Sequence, residues 1–249
     1  MTASHPRAQE RRDRAAAARQ AAARAAHRRR TRRRLAVLAA ALVALVTVGI
    51  VIQSQRGGVN ENAAVPPGLV DGVGVPVGAA TAPVAVQVYE DFQCPACQRF
   101  ELTAGDTITQ LVDAKTIRVT YYTMAFLDSA STTRYSTRAA NAGGCAVQAG
   151  TFPAFHRALY EAQPAEGTAG LSDQRLIEIG KATGATGSKG DRFATCVQDQ
   201  QFLDWTATVT DYASRKGVNS TPTVFVDGKK LTDLTAEGLQ QAVAAAAKS

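Results

Sequence analysis

The sequence predicts an α/β protein, a small sheet interrupted by an all-helical insertion, carried behind a single N-terminal membrane helix. Three observations predict it. Residues 84–123 read as strand, helix and strand; residues 131–216 carry helical spacing with no strong strand; and a strand hairpin and a last helix close the chain. Ahead of them lies an uncharged apolar run, Leu35–Ile52.

The formal charge of +7 suggests a nucleic-acid partner until it is located. Residues 1–34 hold twelve arginines against only Glu10 and Asp13, whereas the rest carries sixteen basic and nineteen acidic residues. The basic character belongs to a tail, and no basic binding surface is implied for the folded part. Arginine-rich arms can bind phosphates. Here the tail stops where the apolar run starts, so membrane topology and contact with anionic lipid account for it, and no nucleic acid is expected.

Leu35–Ile52 has eighteen residues without a charge, and as a helix it spans roughly 27 Å, enough for a bilayer core. Arg28-Arg29-Arg30 and Arg32-Arg33-Arg34 abut it, which places the N-terminus in the cytoplasm and everything after Gln53 outside the cell membrane. A cleaved signal peptide fits less well. Its charged region would be long, its apolar region exceeds the usual span, and no Ala-x-Ala site follows. No cysteine stands near the run to take a lipid.

Residues 53–76, rich in Gly, Pro, Asn and Ala around Pro66-Pro67-Gly68, read as a flexible linker into a domain at 77–249. Val84–Tyr89 is a strand by its β-branched content. Pro95 suits the first turn of a helix running to about Val112, and Ile117–Thr123 is a second strand. Within the insertion, at about 130–217, helices are expected near Thr132–Ala149, Phe155–Ala162, Asp173–Ala182, Gly190–Val197 and Phe202–Lys216, with Gly150, Pro153, Pro164, Gly167, Gly184 and Gly187 as punctuation. Thr223–Val226, the Asp227-Gly228 turn and Lys229–Thr232 form a hairpin, and Thr235 caps a helix over Ala236–Lys248.

Glu90–Cys97, EDFQCPAC, carries the sharpest chemical signal. A cysteine just before a helix N-terminus meets unpaired amides and the positive end of the helix dipole, both of which favour the reactive thiolate. Two intervening residues put Cys97 one turn on, close enough to form a disulfide with Cys94. Such a pair exchanges with other dithiols through a mixed disulfide. A zinc site would need more ligands, and His156 is the only histidine beyond the tail. Haem attachment would need a histidine where Gln98 stands.

Far downstream lies Gly217–Val226, GVNSTPTVFV. A proline just before a strand is consistent with a cis peptide bond or with a plain strand breaker. Set beside the upstream C-P-x-C, the cis reading of Thr221–Pro222 prevails. It would present the Thr221 backbone to an extended substrate.

With both motifs in order, EDFQCPACQRFE and GVNSTPTVFVDGK, the chain resembles the DsbA family of thioredoxin-fold thiol–disulfide oxidoreductases, in its membrane-anchored extracytoplasmic form. The resemblance covers about Val77–Ser249, including FPAFHRALY in the helical insertion. It implies a thioredoxin-like fold, with Cys94 the exposed attacking cysteine, Cys97 the buried resolving one, and Pro222 a cis-proline facing them. The activity it implies is dithiol–disulfide exchange with exported proteins that carry free cysteines, recycled by a membrane partner of the DsbB or VKOR type. No bound cofactor is needed. Three positions depart from the family pattern. Ala96 stands where strong oxidants carry histidine. Val88 stands where a buried acid is common, with Glu90 and Asp91 nearer the motif. Thr221 resembles the isomerase branch as much as the oxidase branch. Isomerase or reductase use of the same site is therefore the nearest alternative to introducing disulfides. A copper-holding module is the rival of another class, disfavoured by the scarcity of His and Met.

Cys145 and Cys196 fall in the insertion. Outside the membrane they are expected to pair in a structural disulfide, the alternative being two buried thiols. His156 is expected to be packed or surface-exposed and is assigned no role. Phe193, Phe202 and Trp205 are expected in the core.

Overall fold

The computed structural model describes residues 64–248. The basic tail, the Leu35–Ile52 run and the first part of the linker lie outside the described residues. Among the described residues no helix is long and apolar enough to cross a membrane.

Five strands form one sheet in the order β1-β3-β2-β4-β5. The central pair, β2 (Val84–Glu90) and β3 (Ile117–Thr123), runs parallel with Val86 opposite Val119 and Glu90 opposite Thr123. Parallel neighbours need a crossover, and helix α1 (Pro95–Asp113) supplies it. β4 (Thr223–Val226) joins β2 antiparallel, pairing Tyr89 with Thr223, and β5 (Lys229–Lys230) closes the hairpin. The β2–β4 pairing sets the functional geometry, because it lays the segment ending in Pro222 beside the segment leading to Cys94.

β1 (Val75–Val77) pairs antiparallel with β3 at the sheet edge, and this corrects the linker boundary at residue 76. Val73 and Val75 are buried, and Pro66 packs near Gly144 of the insertion. A three-residue strand with a central proline carries little local strand signal. It is tolerated because an edge strand needs only one side of its ladder. Gly74 is required at this edge: a Cβ there would lie 2.3 Å from the Thr120 methyl.

The insertion comprises α2 (Tyr135–Ala149), α3 (Phe152–Glu161), α4 (Asp173–Ala182), α5 (Gly187–Gln198) and α6 (Leu203–Arg215), preceded by one 3-10 turn at Asp128–Ala130. The last helix is α7 (Ala236–Ala246), capped by the Thr235 hydroxyl, which accepts from the Gly238 amide. Several boundaries differ from the sequence reading for local reasons. α2 starts at Tyr135, not Thr132, because Arg134 takes a left-handed conformation (φ 55°). α3 starts three residues earlier than expected because Pro153 occupies its first turn, where a missing N–H costs nothing.

Helices cover both faces of the sheet. Tyr122 of β3 stacks on Tyr212 of α6, whereas its neighbour Tyr121 lies against Phe152 and His156 of α3. Consecutive strand residues point to opposite faces, so α3 and α6 lie on opposite sides. α2 is the spine of the insertion. It is buried on nearly all sides because Ala139, Ala140, Ala142, Gly143, Gly144 and Ala146 let its neighbours approach closely. Phe193, Phe202 and Trp205 are in the core, as expected. Cys145 of α2 and Cys196 of α5 form a disulfide, with an S–S distance of 2.02 Å.

Candidate active site

Cys94 is the N-cap of α1, with Pro95 as the first helical residue. The turn before it is held by Asp91. One carboxylate oxygen accepts from the Gln93 amide at 2.8 Å, the other from the Leu127 amide at 2.9 Å, which ties the β2–α1 loop to the segment after β3. From the insertion, the Gln163 side chain donates to the carbonyls of Phe92 and Cys94 at 2.9 and 3.1 Å. The loop carrying the nucleophile is thus clamped by both halves of the domain.

The two thiols are free and differ in access and acidity. Cys97 has no exposed surface, while Cys94 keeps 6% and opens onto a groove lined by Ala96, Phe126, Leu127, Ser220 and Thr221. As a thiol, Cys94 lies 3.4 Å from the Thr221 carbonyl, to which it can donate. As a thiolate it is held by the Cys97 thiol first, then by the Thr221 hydroxyl and by the backbone of Cys97 and Ala96. Together these outweigh burial and bring its pKa down to about 5. Burial pushes the Cys97 thiol far up, and the hydrogen bond with Cys94 adds to it. One sulfur is a ready nucleophile at neutral pH, and the other is a protonated donor that steadies it. The Thr221–Pro222 bond is cis, as read from the motif.

Each residue singled out in the sequence for the exchange therefore falls in one place. Cys94 contacts both Cys97 and Thr221, next to Pro222 at the head of β4. Cys145 and Cys196 lie apart in the insertion, paired with each other. The sequence reading missed Gln163 and Glu101 and placed Glu90 only as an acid near the motif. Gln163 clamps the loop, and Glu90 and Glu101 flank His156. His156 is packed, as one of the two expectations had it, but its partner is a carboxylate: Nε2 lies 2.6 Å from Glu90 Oε1. Burial works against a charged ring there, and the carboxylates of Glu90 and Glu101 outweigh it, raising its pKa. Burial, joined by the charge of Glu90, pushes Glu101 up to about 7 against the opposing pull of His156. No local pattern announces a contact made across 66 residues of chain.

The fold and the site together define a thioredoxin-fold enzyme with a dithiol redox centre. The sequence profile of the thioredoxin family matches residues 71–245. Among solved structures, the reduced disulfide bond oxidoreductase DsbG from Mycobacterium tuberculosis is 32% identical, covering 71% of this chain and 88% of that one, with a TM-score of 0.62. Oxidised DsbA from the same organism is also 32% identical, covering 71% of this chain and 93% of that one, with a TM-score of 0.61. The chain belongs to the thioredoxin family, among its DsbA-like protein thiol–disulfide oxidoreductases. An alignment 170 positions long, covering 64% of the chain, is 29% identical to the serine/threonine-protein kinase PknE of Mycobacterium tuberculosis; it spans 29% of that curated relative's length.

Proposed function

We propose that this oxidoreductase introduces disulfides into exported proteins, working outside the cell membrane from an anchor at Leu35–Ile52. The observation that carries the direction is the acidity of Cys94. A thiolate held by the Cys97 thiol, the Thr221 hydroxyl and helix amides stabilises the reduced dithiol, and a pair whose reduced form is stabilised is an oxidant. Ala96 supplies no imidazole, so the thiolate relies on those donors alone.

The reaction starts from the Cys94–Cys97 disulfide. A substrate thiolate in the groove attacks the Cys94 sulfur, forming a mixed disulfide and releasing Cys97 as a thiolate, which takes up a proton in its buried site. A second substrate thiolate then attacks the substrate sulfur of the mixed disulfide. The oxidised substrate leaves, and Cys94 departs as the stabilised thiolate. The two electrons now on the enzyme pass to a quinone-linked membrane partner of the DsbB or VKOR type, which restores the disulfide. The uncharged run Leu35–Ile52 and the arginines before it support a single-pass anchor with the N-terminus in the cytoplasm.

The test is the potential of the Cys94–Cys97 pair by glutathione equilibration of the full chain in detergent. Expected is a value well above about −200 mV, with a Cys97→Ala variant trapping substrates on Cys94. A value near about −270 mV would place the protein on the reducing branch instead. In membranes, protease added from outside should degrade the domain and leave the anchor; full protection would overturn the topology.

A further inference from the structure

Behind the redox pair lies a cluster that thiol exchange leaves unused: Glu90 at the end of β2, Glu101 in α1 and His156 in α3. One oxygen of each carboxylate and one ring nitrogen lie within 4.8 Å of one another. Three atoms so confined share a point no more than about 2.8 Å from any of them, so small side-chain shifts reach metal–ligand bonds of about 2.0–2.2 Å.

The charge balance favours a cation. His156, Glu90 and Glu101 have side chains only 5%, 1% and 8% exposed, and among the described residues the only cation paired with either carboxylate is the imidazole they share, Nε2 facing Glu90 at 2.6 Å and Nδ1 facing Glu101 at 3.9 Å. Two buried carboxylates around one imidazole need two positive charges for neutrality, which is what a divalent ion supplies once the ring is neutral. A satisfied structural ion triad would also have its oxygens bonded. Here Glu90 Oε2 and Glu101 Oε1 have no hydrogen-bond partner although buried, and neither has the Tyr160 hydroxyl, whose ring lies 5.1 Å from His156. Access exists as well. A cavity of about 250 Å³ is lined by Glu101, His156 and Tyr160, and reaches the exposed side chains of Asp106 and Arg157.

We propose that Glu90, Glu101 and His156 form a binding site for a divalent transition-metal ion of the zinc class, with water from the cavity completing its coordination. The donor set selects the class. An imidazole beside two carboxylates suits zinc-like ions better than calcium or magnesium, and without a sulfur ligand it does not suit copper(I). In the unloaded state protons take the ion's place, with the imidazole held against Glu90. The site is independent of the direction in which the Cys94–Cys97 pair works.

The test is a zinc titration of the oxidised full chain in detergent, where Cys94 and Cys97 are joined and offer no thiolate. One equivalent of zinc is expected to bind and to raise the melting temperature. Glu101→Gln and His156→Gln should each weaken that binding at least tenfold, while substituting His5 and His27 in the basic tail should leave it intact. Absence of a tight equivalent, or its survival in both cluster variants, would overturn the site. Zinc-edge X-ray absorption on the wild-type chain needs no variant to fold: one imidazole with an oxygen shell supports the site, and sulfur ligands or a shell without imidazole reject it.

Discussion

Cys94 and Cys97 are three residues apart in one helical turn, yet their surroundings drive their acidities in opposite directions. Cys94 falls from about 9 to about 5 because the Cys97 thiol, the Thr221 hydroxyl and backbone amides all stabilise its charge. A depressed pKa stabilises the folded, reduced protein fully above the unfolded value near 9. That contribution declines as the pH falls and is gone below about 5. Cys97, displaced upward by burial, stays a thiol in the folded protein, so its contribution is full through most of that window and starts to be lost only as the pH approaches the unfolded value near 9. Asp91, pushed up to about 6 chiefly by burial, acts in the opposite sense to Cys94, its contribution lost as the pH rises from about 4 to about 6. Comparison with Cys94→Ser at each pH cancels that background. The melting temperature of the reduced protein relative to Cys94→Ser should therefore climb between pH 5 and 9. Iodoacetamide alkylation of Cys94 should be half-maximal near pH 5, and a midpoint near 8 or 9 would refute the assignment. Thr221→Val should raise that midpoint by about one pH unit, the scale of one hydrogen bond to a charged group. Most of this residue-level chemistry was legible in the sequence, because C-P-x-C at a helix start fixes the donors around Cys94. The cluster of Glu90, Glu101 and His156 was not. Its members come from a strand end and two separate helices, and no spacing rule links them.

At the scale of elements, local signals located most helices and strands, and the misplaced boundaries were set by tertiary contacts or single backbone conformations. α4 runs over Asp173–Ala182, as the sequence predicts, because Ser172 accepts from the Arg175 amide at its start. β1 escaped notice because its three residues gain their stability from β3, not from their own pattern. Glycines inside helices are similarly opaque in sequence, and Gly180 shows why. It lies in α4, where alanine would gain about 1 kcal/mol of helix propensity. A Cβ there would stand 2.1 Å from the ring of Phe193 in α5. Phe193 is itself 1% exposed and packs edge-on to Phe155, so the ring has nowhere to go. Overpacking of this kind costs about 1–3 kcal/mol and outweighs the propensity gain. Gly180→Ala should lower the melting temperature, and an unchanged or higher value would show that α4 and α5 can move apart. The redox potential should not change, since neither helix touches the dithiol.

Across the whole molecule, the sheet and the insertion divide the work. β2 and β4 bring Cys94 and Thr221 together, while the insertion supplies Gln163 to the loop and His156 to the carboxylates behind it. The insertion must hold its own shape to do this, and its spine of small residues buries little apolar area per residue. The Cys145–Cys196 disulfide compensates by joining α2 to α5 across 51 residues of chain. Closing a loop of that length restricts the unfolded ensemble by about 4 kcal/mol on the chain-entropy account. Both sulfurs are buried, so two alanines leave a small cavity and add its cost. Cys145→Ala/Cys196→Ala should therefore lose about 4 kcal/mol or more in denaturant unfolding of the oxidised protein, yet keep the potential of the Cys94–Cys97 pair. A loss of stability with the potential unchanged would establish that the two disulfides serve separate halves of the molecule. A shift in the potential would instead mean that the insertion's internal order reaches Cys94 through Gln163, and Gln163→Ala should then reproduce that shift without the loss of stability.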